Sequence, residues 1–532
     1  MSKSGAQPTS LHLRSLWVMV VVVILLGLLL RGVNLGRKPL WPDEGFTRIR
    51  VSGYTAAEAE EFIFNDRIVT VEEFERFQRP APNTSWRDTV SGLAKEEPQL
   101  APLYFLGARW WAQWLGPSLL VQRSLGVLFS VLSFPALFWL GWELFNSRLM
   151  AALALAFYGV SPIFLPYAQS ARHYSAWILW VGLASAVLLR TARNSPHGSS
   201  TVLRSQVRNW SLYTGLLILG LYTHLLTLLV MLGHGIFMLG YARWRWNRMF
   251  WGYLVASGIA SGLIMPWLWI AVRNREAVQN TTVWLTRSKP LGEMVWGQLV
   301  NLAKGFVYWR FAPEWVLVLI GCVILGLSLW GLATLPQSRY ARLFLCALVG
   351  ASYLPFLWAD LMLGGQRSLQ DRYLLVGYLA IYFAIAYLLI RHIVAGHHRY
   401  LWSGLTCIML SAGLISSSVG ALSESWWGLS EFHVEIPKIV NQTKKPLIIS
   451  QDIFFSQLGF LHQYRSDMNL LLLPKTASTP DFSIPDSYSD VFIFNPPPEL
   501  LTRVEQQGHL PAKVYNFLDP VTKFELELYR LS

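Results

Sequence analysis

Residues 16–44 read LWVMVVVVILLGLLLRGVNLGRKPLWPDE. An unbroken apolar run extends to Leu30, Arg14 and Arg31 flank it, and Trp41-Pro42-Asp43-Glu44 follows about ten residues beyond it. No small-residue cleavage site follows the run. It is therefore expected to remain as a first membrane helix, with its flanking arginines snorkelling toward water. The rest of the chain has the same character. Of 532 residues, 53% are apolar and 14% charged, and the mean hydropathy is +0.37. A soluble domain carries roughly a quarter charged residues, so a soluble enzyme is excluded. The 28 Phe, 25 Trp and 21 Tyr exclude a disordered chain, because that much aromatic surface does not stay solvated. Cys322, Cys346 and Cys407 lie singly in apolar runs, which points to neither a disulfide framework nor a zinc site.

Ten further apolar runs begin near residues 119, 149, 174, 210, 225, 250, 313, 343, 373 and 401. A span needs about 20 apolar residues, so the expectation is an all-α polytopic membrane protein with about 11 transmembrane helices. The net charge of +13 is not the footprint of a nucleic-acid groove. Residues 32–100 hold 9 basic and 12 acidic side chains, residues 421–532 hold 9 and 13, and the remainder is net +20. Between Pro98 and Arg275 the only acid is Glu143. The basic excess thus sits in short loops between spans, as the positive-inside rule requires. Arg148, Arg190, Arg193, Arg204, Arg208, Arg243, Arg245, Arg248, Arg339, Arg342, Arg391 and Arg399, with Lys3 and Arg14, mark the inner side. The N-terminus is then inside and the C-terminus outside.

This arrangement divides the chain into a cytoplasmic N-terminus (1–15), a transmembrane domain (16–420) that includes a first extracytoplasmic loop (32–118), and an extracytoplasmic α/β domain (421–532). Thr70-Val-Glu-Glu73 is a capping box for a short helix through Gln78. The segment 100–117 is apolar, with Arg109 in its middle and Trp110, Trp111 and Trp114 around it. It is expected to lie as a helix in the outer interface, where tryptophans favour the headgroup region. In the tail, strands are expected at Pro446–Ser450, Asn469–Leu473 and Val491–Asn495, and helices near 454–463 and 498–507.

Four groups carry polar chemistry, and the topology puts all of them outside. Asp43 and Glu44 could supply a base toward a hydroxyl or, if a divalent metal ion is used, its ligands. An anonymous acidic pair is more often a solvated loop, but here a Trp-Pro corner pins it beside a span. Ser161–Tyr174 crowds Gln169, Arg172, His173 and Tyr174 into one turn, where an arginine needs an anionic partner and a lipid phosphate fits its paired donors. An aromatic belt with a snorkelling arginine is the competing reading. Arg367, Arg372 and Tyr373 occupy the last outward loop, and His224 another turn. A lone His on an apolar hairpin is more often a packing residue. A base and a phosphate clamp at a membrane surface suit group transfer from a lipid-phosphate donor.

At these residues the chain resembles the GT-C superfamily glycosyltransferases of the protein-mannosyltransferase and aminoarabinose-transferase type, specifically the glycosyltransferase family 39 or RgtA-like branch. The motifs are Asp43-Glu44 after the first helix, Pro102-Leu-Tyr-Phe105 opening a helix that ends at Leu115-Gly116, Arg123, Ser161-Pro162 leading to Gln169, Ala171-Arg172 and Tyr174, and Arg372-Tyr373. They cover residues 15–390. Ser170 stands where members often carry Glu.

The resemblance implies an integral-membrane hexosyl or pentosyl transferase that moves a sugar, with inversion, from a polyprenyl-phosphate donor to a hydroxyl of a glycan, lipid or protein. Asp43 would be the base and Glu44 its catalytic neighbour. Arg172, Arg367 and Arg372 would bind the donor phosphate, and Gln169, His173, Tyr174, His224 and Tyr373 would line the substrate pocket. Membrane lipids are the other partners, nucleic acid is not one, and a bacterial inner membrane is the implied location. A transporter or flippase of lipid-linked sugars is the alternative, but internal repeats and broken midplane helices are missing from the sequence pattern.

The charge asymmetry gives a direct test. An alkaline phosphatase fused after Ser532 should be active and a fluorescent protein there dark; the reverse result would place the C-terminal domain inside and remove one crossing.

Overall fold

A backbone in hydrocarbon has to satisfy its own N–H and C=O groups, and each of the eleven apolar runs is accordingly helical. The computed structural model describes residues 7–193, 200–335, 339–396, 398–430, 433–451, 458–474, 482–518 and 525–532. The chain separates into two units. One comprises Met1–Leu35, Glu97–Tyr104 and Arg123–Leu422; the other comprises Gly36–Glu96, Phe105–Gln122 and Ser423–Ser532.

Eight helices among the described residues, all in the first unit except for the opening residues 119–122 of one, are long and apolar enough to cross a membrane: His12–Leu30, Leu119–Phe145, Tyr174–Arg193, Arg248–Arg273, Glu314–Thr334, Tyr340–Leu363, Leu375–Ala395 and Arg399–Leu422. Three of the expected spans fall short of that measure. Arg148–Gly159 stops at 12 residues, ahead of the Ser161-Pro162 break. Thr227–Tyr241 has 15 residues. Ser200–Thr223 has 24, but its first half is polar. Tyr174–Arg193 and Leu375–Ala395 are the most enclosed, whereas His12–Leu30 and Arg248–Arg273 expose most of their apolar surface.

Small residues let these helices touch. A Cβ on Gly27 would stand 2.6 Å from the Gly159 carbonyl oxygen, so the first helix and Arg148–Gly159 meet backbone to backbone. Arg31 closes that contact. It is fully buried and does not snorkel as expected. Its guanidinium donates to Ser130 Oγ (2.7 Å) and to the carbonyls of Gly27 (2.5 Å) and Gly159 (2.9 Å), and it lies over Phe134 and Tyr158. The carbonyls at the end of the first helix carry partial negative charge, and they supply what a cation needs without water.

The second unit is built on a six-stranded sheet. Its strands are β1 (Ile68–Thr70), β2 (Pro446–Ser450), β3 (Asn469–Leu472), β4 (Asp490–Phe494), β5 (Pro511–Leu518) and β6 (Glu525–Leu531), in the order β1-β3-β2-β4-β6-β5. β2 runs parallel to β3 and β4, and the other pairs are antiparallel. Both faces are covered. Ile448, Leu470, Phe492 and Phe494 pack with Phe74, Phe77, Ile436 and Phe460. Leu447, Ile449, Leu471 and Ile493 pack with Leu500 and Val504.

The expected strands at 446–450, 469–473 and 491–495 and the helix at 498–507 appear as β2, β3, β4 and Pro498–Gln506. Residues 454–457 of the other expected helix lie outside the described residues, and 458–463 are helical. β1, β5 and β6 are additional to the expected strands. β1 is three residues long, and β5 is mostly exposed, so neither has a strong alternating pattern. Through β1 the first loop, grouped by sequence with the membrane domain, enters the sheet of the tail. The capping box at Thr70 and Glu73 is formed, with Glu73 N donating to Thr70 Oγ1 (3.1 Å) and Thr70 N to Glu73 Oε2 (2.8 Å).

The awkward Arg109 has a physical reason. On the helix Leu103–Leu115 it is buried, and it donates to the carbonyls of Val51 (2.9 Å) and Thr84 (2.6 Å) and to Thr84 Oγ1 (3.0 Å). Gly53, at φ +88°, ends the helix Pro42–Ser52, and a Cβ there would stand 2.9 Å from the guanidinium. Trp110 and Trp114 stay exposed, their rings stacked 5.4 Å apart.

Gly27→Leu should lower the thermal midpoint of the detergent-purified protein by the equivalent of about 1–3 kcal/mol or more, because an overpacked contact has to open. Gly32→Ala, whose Cβ would lie 3.7 Å from the Leu29 carbonyl oxygen, should be tolerated. Equal stability of the two variants would refute the close contact.

Candidate functional site

The segment Ser161–Tyr174 breaks the membrane helices and is held from several sides. Ser161 Oγ donates to the Gly305 carbonyl (3.0 Å) and meets the Tyr382 hydroxyl (2.7 Å). Pro162 then ends one helix, and Phe164–Ala168 forms a short one. Gln169 Nε2 donates to the carbonyls of Leu30 (2.7 Å) and Val33 (3.0 Å). Its amide nitrogen therefore caps the end of the first helix.

Arg172 and His173 lead into Tyr174–Arg193, and both are buried. The His173 ring lies 4.7 Å from that of His224 and 4.5 Å from that of Tyr174. His224, in the turn between Ser200–Thr223 and Thr227–Tyr241, stacks on Trp177 at 4.4 Å. Its Nδ1 accepts from the Leu226 amide (3.2 Å), which assigns the proton of the neutral ring to Nε2. The Arg172 guanidinium is 5.9 Å from the Tyr174 ring. Tyr174 in turn lies 4.8 Å from Tyr167, whose hydroxyl donates to Asp371 Oδ1 at 2.7 Å. The adjoining Arg372 faces Trp284 at 5.2 Å, and Tyr373 stacks on Phe356 at 5.5 Å.

Arg172, His173, Tyr174, His224, Arg372 and Tyr373 thus belong to one neighbourhood of the membrane unit. Arg367 has a different partner. It pairs with Asp360 at 3.1 Å, and that carboxylate also accepts from the amides of Arg367 (2.9 Å) and Ser368 (2.6 Å). Tyr167 and Asp371 lie in the two loops that the sequence brings forward, but it gives them no role, and it does not single out Trp177 or Trp284. Tyr167 and Asp371 meet across 204 positions, a separation no local pattern encodes.

The electrostatics follow from burial beside two fixed cations. Burial, then His224, Arg172 and Arg372, push His173 well below the usual imidazole value. Burial, then Arg172 and Arg372, push His224 down to about 3. Both imidazoles are neutral at physiological pH, so the cations there are arginines, which suit a phosphate with paired donors.

In the other unit, Asp43 and Glu44 occupy the first turn of Pro42–Ser52, where a helix favours anions. Glu44 is buried, and its carboxylate accepts from the Trp41 amide at 3.4 Å. Asp43 is half-buried, and its carbonyl accepts from Thr47 Oγ1 at 2.9 Å. With Glu44 turned to its own helix end, the pair is a poor cation cradle. Among the described residues no group of three His, Cys, Asp or Glu is placed to hold a metal ion.

No family model and no curated protein matches this chain. Among solved structures it is similar to the oligosaccharyltransferase of Archaeoglobus fulgidus in the apo form, at 11% identity and a TM-score of 0.48, covering 86% of this chain and 65% of that one. It is similar to archaeal AglB from Archaeoglobus fulgidus in complex with an inhibitory peptide and a dolichol-phosphate, at 11% identity, the same coverage and a TM-score of 0.46. It is also similar to ArnT from Cupriavidus metallidurans bound to undecaprenyl phosphate, at 14% identity and a TM-score of 0.37, covering 97% of this chain and 98% of that one. The chain thus spans just under two thirds of the length of the archaeal proteins. At identities of 11–14% and TM-scores of 0.37–0.48, these likenesses carry no argument about the role of this chain.

The depressed imidazoles make stability pH-dependent. Such a group contributes fully above its unfolded value near 6.5 and loses that contribution as pH falls toward its folded value, because the unfolded chain takes up the proton first. For His224 the loss between pH 7 and 5 is about 1–2 kcal/mol. The thermal midpoint should fall over that interval, and His224→Gln should flatten the fall. An unchanged slope in the variant would show that His224 is not held neutral.

Proposed function

We propose that this protein is an integral-membrane glycosyltransferase that moves a sugar from a polyprenyl-phosphate donor to an acceptor hydroxyl on the outer face of the membrane. The observation that carries the reading is the pair Arg172 and Arg372, set among aromatic rings and two neutral imidazoles. Two cations gathered at the ends of membrane helices suit a lipid phosphate. An apolar cavity of about 320 Å³, lined by Leu302, Leu325, Val349, Leu374 and Tyr378, begins one residue after Tyr373 and suits part of an isoprenoid chain.

Asp43 is the proposed base. A hydroxyl is a weak nucleophile, and a carboxylate that takes its proton as the new bond to the anomeric carbon forms lowers the barrier. Attack from the face opposite the departing polyprenyl phosphate inverts the anomeric centre. Glu44 orients the turn that carries Asp43, and Arg367 holds the loop that carries Arg372. Gln169 fixes the Arg172 turn against the end of the first helix. The sugar and the acceptor class, among glycan, lipid and protein, are set by groups beyond these motifs.

Asp43→Asn should cut transfer about 10²–10⁴-fold while leaving insertion and thermal midpoint unchanged. Arg172→Ala and Arg372→Ala should each weaken donor binding by about 1.5–3 kcal/mol, with Lys restoring only part. A folded Asp43→Asn protein with near-normal transfer from a polyprenyl-phosphate sugar would overturn the assignment and favour a transporter.

A further inference from the structure

The geometry points to Asp371, with Tyr167, as the subsite that reads hydroxyl groups on the sugar of the donor; this rests on the polyprenyl-phosphate reading above. The loop Gly364–Tyr373 holds two carboxylate-centred arrangements of different kinds. Asp360, at its edge, is fully buried and saturated: it takes the Arg367 guanidinium and two backbone amides. That is a structural carboxylate, and it accounts for Arg367. Asp371 is half-buried, and its Oδ1 accepts the Tyr167 hydroxyl at 2.7 Å. A carboxylate has about four acceptor positions, so this bond fixes its orientation and leaves it capacity to accept from a ligand.

Its surroundings match the two ends of a glycosyl phosphate. Arg372, the next residue, and Arg172, beside Tyr174, supply cations. Tyr167 feels Asp371 and Arg372 together, so anion and cation converge on the same phenol. An anionic phosphate belongs with the arginines, whereas a pair of neutral hydroxyls, which are donors, belongs with the carboxylate. The ring of Tyr174 packs on that of Tyr167 with centroids 4.8 Å apart, which holds the phenol in place against Asp371. A carboxylate that served only to balance Arg372 would repel the phosphate and contribute nothing to sugar choice, and the two roles predict opposite signs for its removal.

The test uses the full chain in nanodiscs with two probes: undecaprenyl phosphate, and undecaprenyl phosphate carrying mannose, glucose or arabinose. Wild-type protein should bind the lipid phosphate and prefer one of the glycosylated forms. Asp371→Asn, which keeps shape and the bond from Tyr167, should weaken the preferred glycosylated form about 10- to 100-fold, the range for a hydrogen bond to a charged group. It should leave sugarless undecaprenyl phosphate unchanged or bound more tightly. Tyr167→Phe should reduce the same discrimination to a lesser extent and serves as a second readout if Asp371→Asn is unstable. Equal weakening of both probes would overturn the inference, since Asp371 would then act through Arg372 or the fold. Equal tightening of both would overturn it too, since Asp371 would then be a counter-charge only. Either outcome leaves the donor reading standing, whereas wild-type protein that binds neither probe would overturn both.

Discussion

Hydrocarbon offers a protein no hydrogen bonds, and a cation placed near it has to be met by protein groups or reach the headgroups. This chain meets its cations in three ways. Arg31 is solvated by the carbonyls of Gly27 and Gly159 and by Ser130, which draws the first helix onto Arg148–Gly159. Arg367 is neutralised by Asp360, which shapes the last loop. Arg172 and Arg372 lie among aromatic rings and imidazoles that burial keeps neutral. The carbonyls and the carboxylate give Arg31 and Arg367 structural roles, and the neutral imidazoles beside Arg172 and Arg372 leave arginine as the cation there.

The same requirement organises the second unit. Arg109 lies in an apolar helix, and its guanidinium collects carbonyls from Val51 and Thr84 and ties residues 105–115 to the end of the helix Pro42–Ser52 that carries Asp43. Gly53 leaves room for it. One face of this short helix is thereby fixed by polar contacts while Trp110 and Trp114 remain exposed on another. β1 binds the first loop into the tail's sheet through its pairing with β3. The loop that carries the proposed base is thus part of a folded domain.

The sequence alone determined the membrane character, the positions of eleven helices, the central strands β2, β3 and β4, and the capping box at Thr70. These depend on local composition and periodicity: an apolar run has to be helical in hydrocarbon, and a continuous Leu-Ile run has to be buried on both faces of a sheet. It also brought forward Arg172, His173, His224 and Arg372 as chemistry-bearing residues, and the structure places these four in one neighbourhood. Only the tertiary structure decided which polar groups are occupied. Gln169 caps a helix, Glu44 turns to its own amide, Arg367 belongs to Asp360, and Arg31 is buried where snorkelling was expected. It alone joined Tyr167 to Asp371, and β1 to a strand some four hundred residues away. The physical reason is common to all of these: a side chain's role depends on which donor or acceptor reaches it first, and that partner is supplied by chain distant in sequence.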